Sequence, residues 1–256
     1  MRTFQLTAIL LVSSIVQAQS AATLVLVAPQ ASTSPVAGAV PISEEHHHHL
    51  VFENSFTKVW EVEVPAHEST LMHQHDNDYV YLVLGDADIT NAVAGKAPVK
   101  LHLADTTVNF SRGPFAHIAK IDGDVAFRNV TIELLRPPQG EPNKSYASLD
   151  AALGSAAGKE ASIAKGITLL ETNEVRVFAA GIARGKVWSP PAGHDHLVVL
   201  PDRMHDSSAP KEANAPMFPA GMVSWVPSGG HWSVRNDSPE QMKVLVLEFK
   251  DSNAMK

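Results

Sequence analysis

The sequence contains no cysteine. Disulfides, thiolate metal sites, iron–sulfur clusters and a cysteine nucleophile are therefore all excluded. Charge is also sparse, at 18% of residues, and the balance of 20 Lys and Arg against 27 Asp and Glu gives a formal net charge of −7. No basic stripe is available for a nucleic-acid backbone. Beyond the N-terminal segment, no run reaches the ~18–20 apolar residues that a membrane helix needs. The motifs GxSxG, P-loop and GxGxxG do not occur, so serine hydrolase, nucleotide triphosphatase and dinucleotide chemistry have no support. What the chain has is enough apolar residues for a core, 45% of 256, and an excess of histidine: 13, with seven between His46 and His75.

The opening segment, MRTFQLTAILLVSSIVQAQS, carries a cation at Arg2, an apolar run from Leu6 to Val16, and small residues before Gln19. That pattern predicts a cleaved secretory signal peptide over residues 1–18, and hence a periplasmic or secreted protein. Residues 19–44 are poor in charge and rich in Ala, Ser, Pro and Val, and are read as a flexible arm in which Thr23–Val27 is a candidate strand.

From there the pattern changes. Val59–Val64 alternates apolar and polar side chains, the period of a half-buried strand. Tyr79–Leu84, Val99–Leu103, Ala126–Leu135, Val175–Ala179, Leu197–Leu200 and Lys243–Phe249 are further short β-type runs, separated by Gly, Pro, Asn and Asp turns. Such spacing predicts an all-β protein. One helix is expected in Ser148–Ala164, capped by Ser148 or Asp150. The blocks Val59–Gly85 and Val175–Pro201 share an order of parts, which indicates a duplicated β-domain.

His73-Gln-His75 enters the strand at Tyr79, and residues i and i+2 of a strand share a face. His117 lies beside another strand. Three neutral imidazoles suit a divalent transition metal: Fe, Mn, Ni, Cu or Zn. The tract His46–His49 is read as a solvated strand entry, with metal recruitment as its other use. His67 and His102 are read as surface side chains.

His73–Gly85 resembles the first motif of the cupin superfamily, with its HxH, acidic residue, apolar strand and Gly. Gly221-MVSWV-Pro227-Ser-Gly-Gly-His231 with Asn236 resembles the second motif, which recurs more loosely as Gly113-Pro114-Phe-Ala-His117. His46–Glu53 and Pro65-x-x-Glu68 resemble the opening of secreted bacterial bicupins. The resemblance implies two cupin (double-stranded β-helix, jelly-roll) barrels in tandem, at residues 45–139 and 166–252, joined by a linker with a helix at 140–165. It implies metal ligation by His73, His75 and His117. The family's acidic ligand falls on Asp78 if the loop has lost one residue; Tyr79 and a three-histidine site completed by water are the alternatives, and Asp78, Asp76 and Tyr79 are the candidate catalytic bases. In the second barrel, His194, His196 and His231 read as one ligand set. A second alignment puts the ligand positions on Pro190 and Ala192, which cannot bind metal. The implied function is a metal-dependent lyase, isomerase or dioxygenase acting on a small polar organic substrate at the first barrel. A non-catalytic cupin that binds a small ligand or metal is the alternative, and a homodimer is compatible with either.

Overall fold

The computed structural model describes residues 36–201, 204–205, 217–218 and 221–250. The expected signal peptide and the candidate strand Thr23–Val27 lie outside them. The described chain is all-β apart from two short helices and one 3-10 turn. Among the described residues no helix is long and apolar enough to cross a membrane.

The first lobe is built from ten strands: β1 (Val40–Pro41), β2 (His48–Glu53), β3 (Thr57–Val64), β4 (His73–His75), β5 (Asp78–Val83), β6 (Ala87–Val93), β7 (Val99–Leu103), β8 (Val108–Ser111), β9 (Phe115–Ile121) and β10 (Phe127–Leu134). They form two five-stranded sheets, β1-β4-β9-β6-β7 and β2-β3-β10-β5-β8. A connecting segment follows, with β11 (Asn143–Lys144), α1 (Leu149–Ser155) and α2 (Glu160–Lys165). Ser148 caps α1, its hydroxyl accepting from the Ala151 N–H at 3.1 Å. The single expected helix is broken in two because Gly158 takes a positive φ of 80°, which a continuing helix does not tolerate.

The second lobe comprises β12 (Ile167–Glu171), β13 (Val175–Ile182), β14 (Val187–Trp188), β15 (Asp195–Leu200), β16 (Met204–His205), β17 (Met217–Phe218), β18 (Met222–Val226), β19 (Val234–Arg235) and β20 (Met242–Phe249). One six-stranded sheet, β11-β12-β13-β20-β15-β18, dominates, and β14-β19 and β16-β17 are small separate ladders.

Strand alternation explains how the lobes meet. Val80 and Leu82 of β5, and Val130, Ile132 and Leu134 of β10, join Val177, Leu197, Leu245, Leu247 and residues of α1 in one buried apolar cluster. The two large sheets therefore stand back to back. On the opposite faces each lobe has its own interior: Trp60, Val62, Val64 and Ile121 in the first, and Phe178, Ile182, Val198, Val244 and Val246 in the second. The central strands of the second lobe are largely apolar on both faces, as a sheet covered on both sides requires, whereas β10 turns Asn129, Thr131 and Glu133 toward the first interior.

The ladders repeat between lobes. Asp78 and Tyr79 face Leu134 and Glu133 across β5 and β10. Asp195 and His196 face Phe249 and Glu248 across β15 and β20. At this register the buried polar pair Asn129 and Thr131 of the first interior corresponds to Val244 and Val246 of the second. The first interior is hollow and carries polar groups at these positions, where the second is filled with hydrocarbon.

Candidate metal centre

The hollow of the first lobe is a cavity of about 90 Å³, room for several waters or a small organic molecule. Its walls include histidines from three strands. His73 and His75 share a face of β4, and His117 lies opposite His73 on β9. The Nε2 atoms of His73 and His75 are 3.2 Å apart, and those of His75 and His117 are 3.3 Å apart. Metal–nitrogen bonds of about 2.0–2.1 Å place two imidazole nitrogens on one ion roughly 2.9–3.4 Å apart.

The outer ring atoms fix the tautomers. His73 Nδ1 donates to the Leu71 carbonyl at 3.0 Å, and His117 Nδ1 to Asn91 Oδ1 at 2.7 Å. Both rings thereby turn an Nε2 lone pair inward, the orientation that metal-bound histidines show. His75 Nδ1 is buried with no hydrogen-bond partner. Its single ring proton cannot serve both Nε2 neighbours, so at most one of the two short contacts is a hydrogen bond. The His75 ring is held by stacking on Tyr79 at 4.4 Å and on Phe115 at 5.5 Å. The donor set and its spacing fit a transition metal.

Burial, followed by the nearby imidazoles, pushes all three histidines toward the neutral form. His73 is lowered to about 4, with His48 the chief neighbour, and His75 and His117 fall well below the usual histidine value. In the unfolded chain these rings take up protons near ~6.5, whereas His73 resists until about pH 4. Stability of the metal-free protein is thus complete above that unfolded value and is lost as pH falls toward 4. The urea midpoint should drop between pH 7.5 and pH 5. An unchanged midpoint would contradict neutral, buried rings.

A fourth imidazole joins them. His48 opens β2 opposite Val62, an inward-facing residue, so its side chain also enters the cavity. Its ring is 4.6 Å from that of His73, and its ligating atom lies within 4.8 Å of those of His73 and His75. Glu45 accepts from His48 Nδ1 at 2.6 Å. Burial raises the Glu45 carboxyl, but the His48 bond and the N–H groups of Leu71 and His47 outweigh it and hold the pKa at about 2. The tract read as a solvated strand entry therefore sends one imidazole inward. The one signal for it in the sequence was a carboxylate three residues earlier, at Glu45.

The structure does not bring Asp78 to this group. Asp78 shares the face of Val80 and Leu82, and its carboxylate accepts from Arg112 Nη1 at 2.6 Å and from the Gly113 N–H at 2.9 Å. Tyr79 does face the cavity, with its hydroxyl bonded to Ser111 and its pKa raised by burial, so it stays a neutral phenol. In the second lobe, Trp188 stands opposite Val234 in the ladder β14-β19. His196 lies 3.4 Å from Glu248, and His194, His196 and His231 border a wider depression of about 570 Å³. Among the described residues these three do not gather into a group of metal-ligating atoms. The alignment through Asp78 and Asp195 is the one the ladders follow.

No protein-family model matches the chain, and no curated protein matches it in sequence. Solved structures do. A cupin domain from Bordetella pertussis is 22% identical over 34% of this chain and 90% of its own, with a TM-score of 0.33. A cupin 2 conserved barrel domain protein from Leptotrichia buccalis is 8% identical over 79% of this chain and 88% of its own, with a TM-score of 0.43. The salicylate 1,2-dioxygenase from Pseudoaminobacter salicylatoxidans, in its adduct with gentisate, is 13% identical over 77% of this chain and 70% of its own, with a TM-score of 0.49.

Proposed function

We propose that this chain is an exported, metal-dependent cupin-type enzyme. In this reading the first lobe binds one divalent transition metal on His73, His75 and His117, with His48 as a fourth imidazole. The observation that carries it is the pair of Nε2–Nε2 distances, 3.2 and 3.3 Å, among rings that are buried at His73 and His75 and partly buried at His117, with the outer nitrogens of His73 and His117 hydrogen-bonded elsewhere. Bound there, the metal would supply Lewis-acid polarisation of a substrate oxygen.

The chain's own residues define what enters. Tyr81, Phe115, Leu101 and Leu103 give the cavity apolar walls, while Asn129 and Thr131 present polar atoms inside it. Lys96, exposed and lining the same cavity, adds positive charge on the solvent side. A small polar organic molecule, anionic at one end, matches these walls. Apolar walls with a few fixed polar groups are the usual composition of such a site. The leader-like N-terminal segment supports export.

The test is elemental analysis of the protein purified without chelators or added metal. One equivalent of transition metal per chain is expected. The reading is overturned if the protein is metal-free and takes up none of Fe, Mn, Ni, Cu or Zn on dialysis. A metal-loaded protein that leaves small carboxylates and phenolates unchanged would remove the enzymatic half of the proposal and keep the binding half.

A further inference from the structure

Beside this centre, reaching from the interior to the surface, stands a second collection of ligand atoms. Glu45, His46 and His47 each bring one within 4.8 Å of the others. His47 is the informative member. Its Nδ1 bonds to the Glu63 carbonyl at 3.0 Å, which puts the ring proton there and leaves a lone pair on Nε2. That Nε2 is buried and has no hydrogen-bond partner, in a side chain only 10% exposed. Orphaned buried nitrogens are rare in folded proteins and call for an explanation. The nearest carboxylate oxygen is Glu68 Oε2, 3.9 Å away on a half-exposed side chain. The Glu68 backbone is pinned by the Ile121 N–H, which donates to its carbonyl at 2.8 Å. His46 packs its ring 4.1 Å from that of His47 and holds Nδ1 3.6 Å from Glu45 Oε1.

We propose that Glu45, His46, His47 and Glu68 form an outer site for a second divalent transition cation. Two imidazoles with carboxylate oxygens are a donor set for Zn(II), Ni(II) or Cu(II) rather than for Mg(II) or Ca(II). The site uses none of the nitrogens assigned to the inner metal. It touches that centre through one group: Glu45 offers Oε2 to His48 and turns Oε1 toward His46. The consecutive residues His46, His47 and His48 run from a side chain 62% exposed, through one 10% exposed, to one 5% exposed. A cation held at the outer site is therefore one residue from the inner ligands, with His46 and Glu68 on its solvent side and Glu45 and His47 on its buried side.

Calorimetric titration of the metal-free full chain with Zn(II) tests this. The wild type should take up two equivalents, one tight and one weaker. In His46→Ala/Glu68→Gln, whose altered side chains are exposed enough to leave the fold intact, the weaker equivalent should lose affinity by about tenfold or more, with the tight one unchanged. His102→Ala, which removes a surface imidazole 2.9 Å from Asp88, should retain both. A wild type that binds one equivalent, lost in His117→Ala, overturns the outer site. So does a double variant that keeps both equivalents at wild-type affinity. A single equivalent that survives His117→Ala and disappears in the double variant establishes the outer site and removes the inner one.

Discussion

Replacing His117 by Ala should strip the purified protein of stoichiometric metal. His117 holds its Nε2 3.3 Å from that of His75, and its ring is oriented by Asn91. Disturbing the groups behind metal ligands already costs about 10–100-fold in affinity, and deleting a ligand removes a bond outright. A loss of about 100-fold or more is expected for His117→Ala and for His73→Ala, measured by competition with a chromophoric chelator. His194→Ala and His231→Ala should leave metal content as it was, because at the register shared by Asp78 and Asp195 the positions of His73 and His75 fall on Pro190 and Ala192, which offer no ligand. Full metal retention in His117→Ala would sink the first-lobe assignment.

Asp78→Ala should act on the fold and not on the ligand set. Its carboxylate is buried, 7% exposed, and ties Arg112 and the Gly113 N–H together. Removal leaves a partly buried guanidinium and a backbone donor without that acceptor, a loss of about 2–4 kcal/mol. The same junction requires glycine: a Cβ on Gly113 would sit 2.4 Å from the Asn77 carbonyl oxygen. Gly113→Ala should therefore destabilise the chain as well, and it should disturb the approach to β9 that carries His117. Guanidinium unfolding measures both variants. Metal analysis of Asp78→Ala should still find one equivalent; a metal-free, stably folded Asp78→Ala would return the carboxylate to the ligand set.

The contrast between these variants shows what the sequence made legible. Strands β5, β13, β15 and β20 announce themselves because both faces are largely apolar or aromatic, and β3 and β10 because one face carries an apolar row beside a mostly polar one. Strands β4, β6 and β9 carry His, Asn, Thr and Lys on faces that line a cavity or meet water, so their periodicity is weak. That His73, His75 and His117 would meet at one cavity was readable from motif spacing. The phase of β5 was not. Both of its faces are apolar or aromatic, and which one looks inward depends on the second lobe, whose sheet claims Val80 and Leu82 and so turns Asp78 away. His48 was hidden for a related reason: four consecutive histidines carry no visible alternation until the pairing of β2 with β3 imposes one.

The back-to-back seam also constrains how this molecule can be dismantled. Cutting the chain between the lobes would leave Val80, Leu82, Val130, Ile132 and Leu134, all nearly or fully buried in the intact protein, as an apolar face in water. A continuous patch of that kind is a template for self-association. Neither half is a transferable module. The second lobe, which gathers no set of metal-ligating atoms among its described residues, is still indispensable as the insulating back wall of the first, and the two should melt in one cooperative transition.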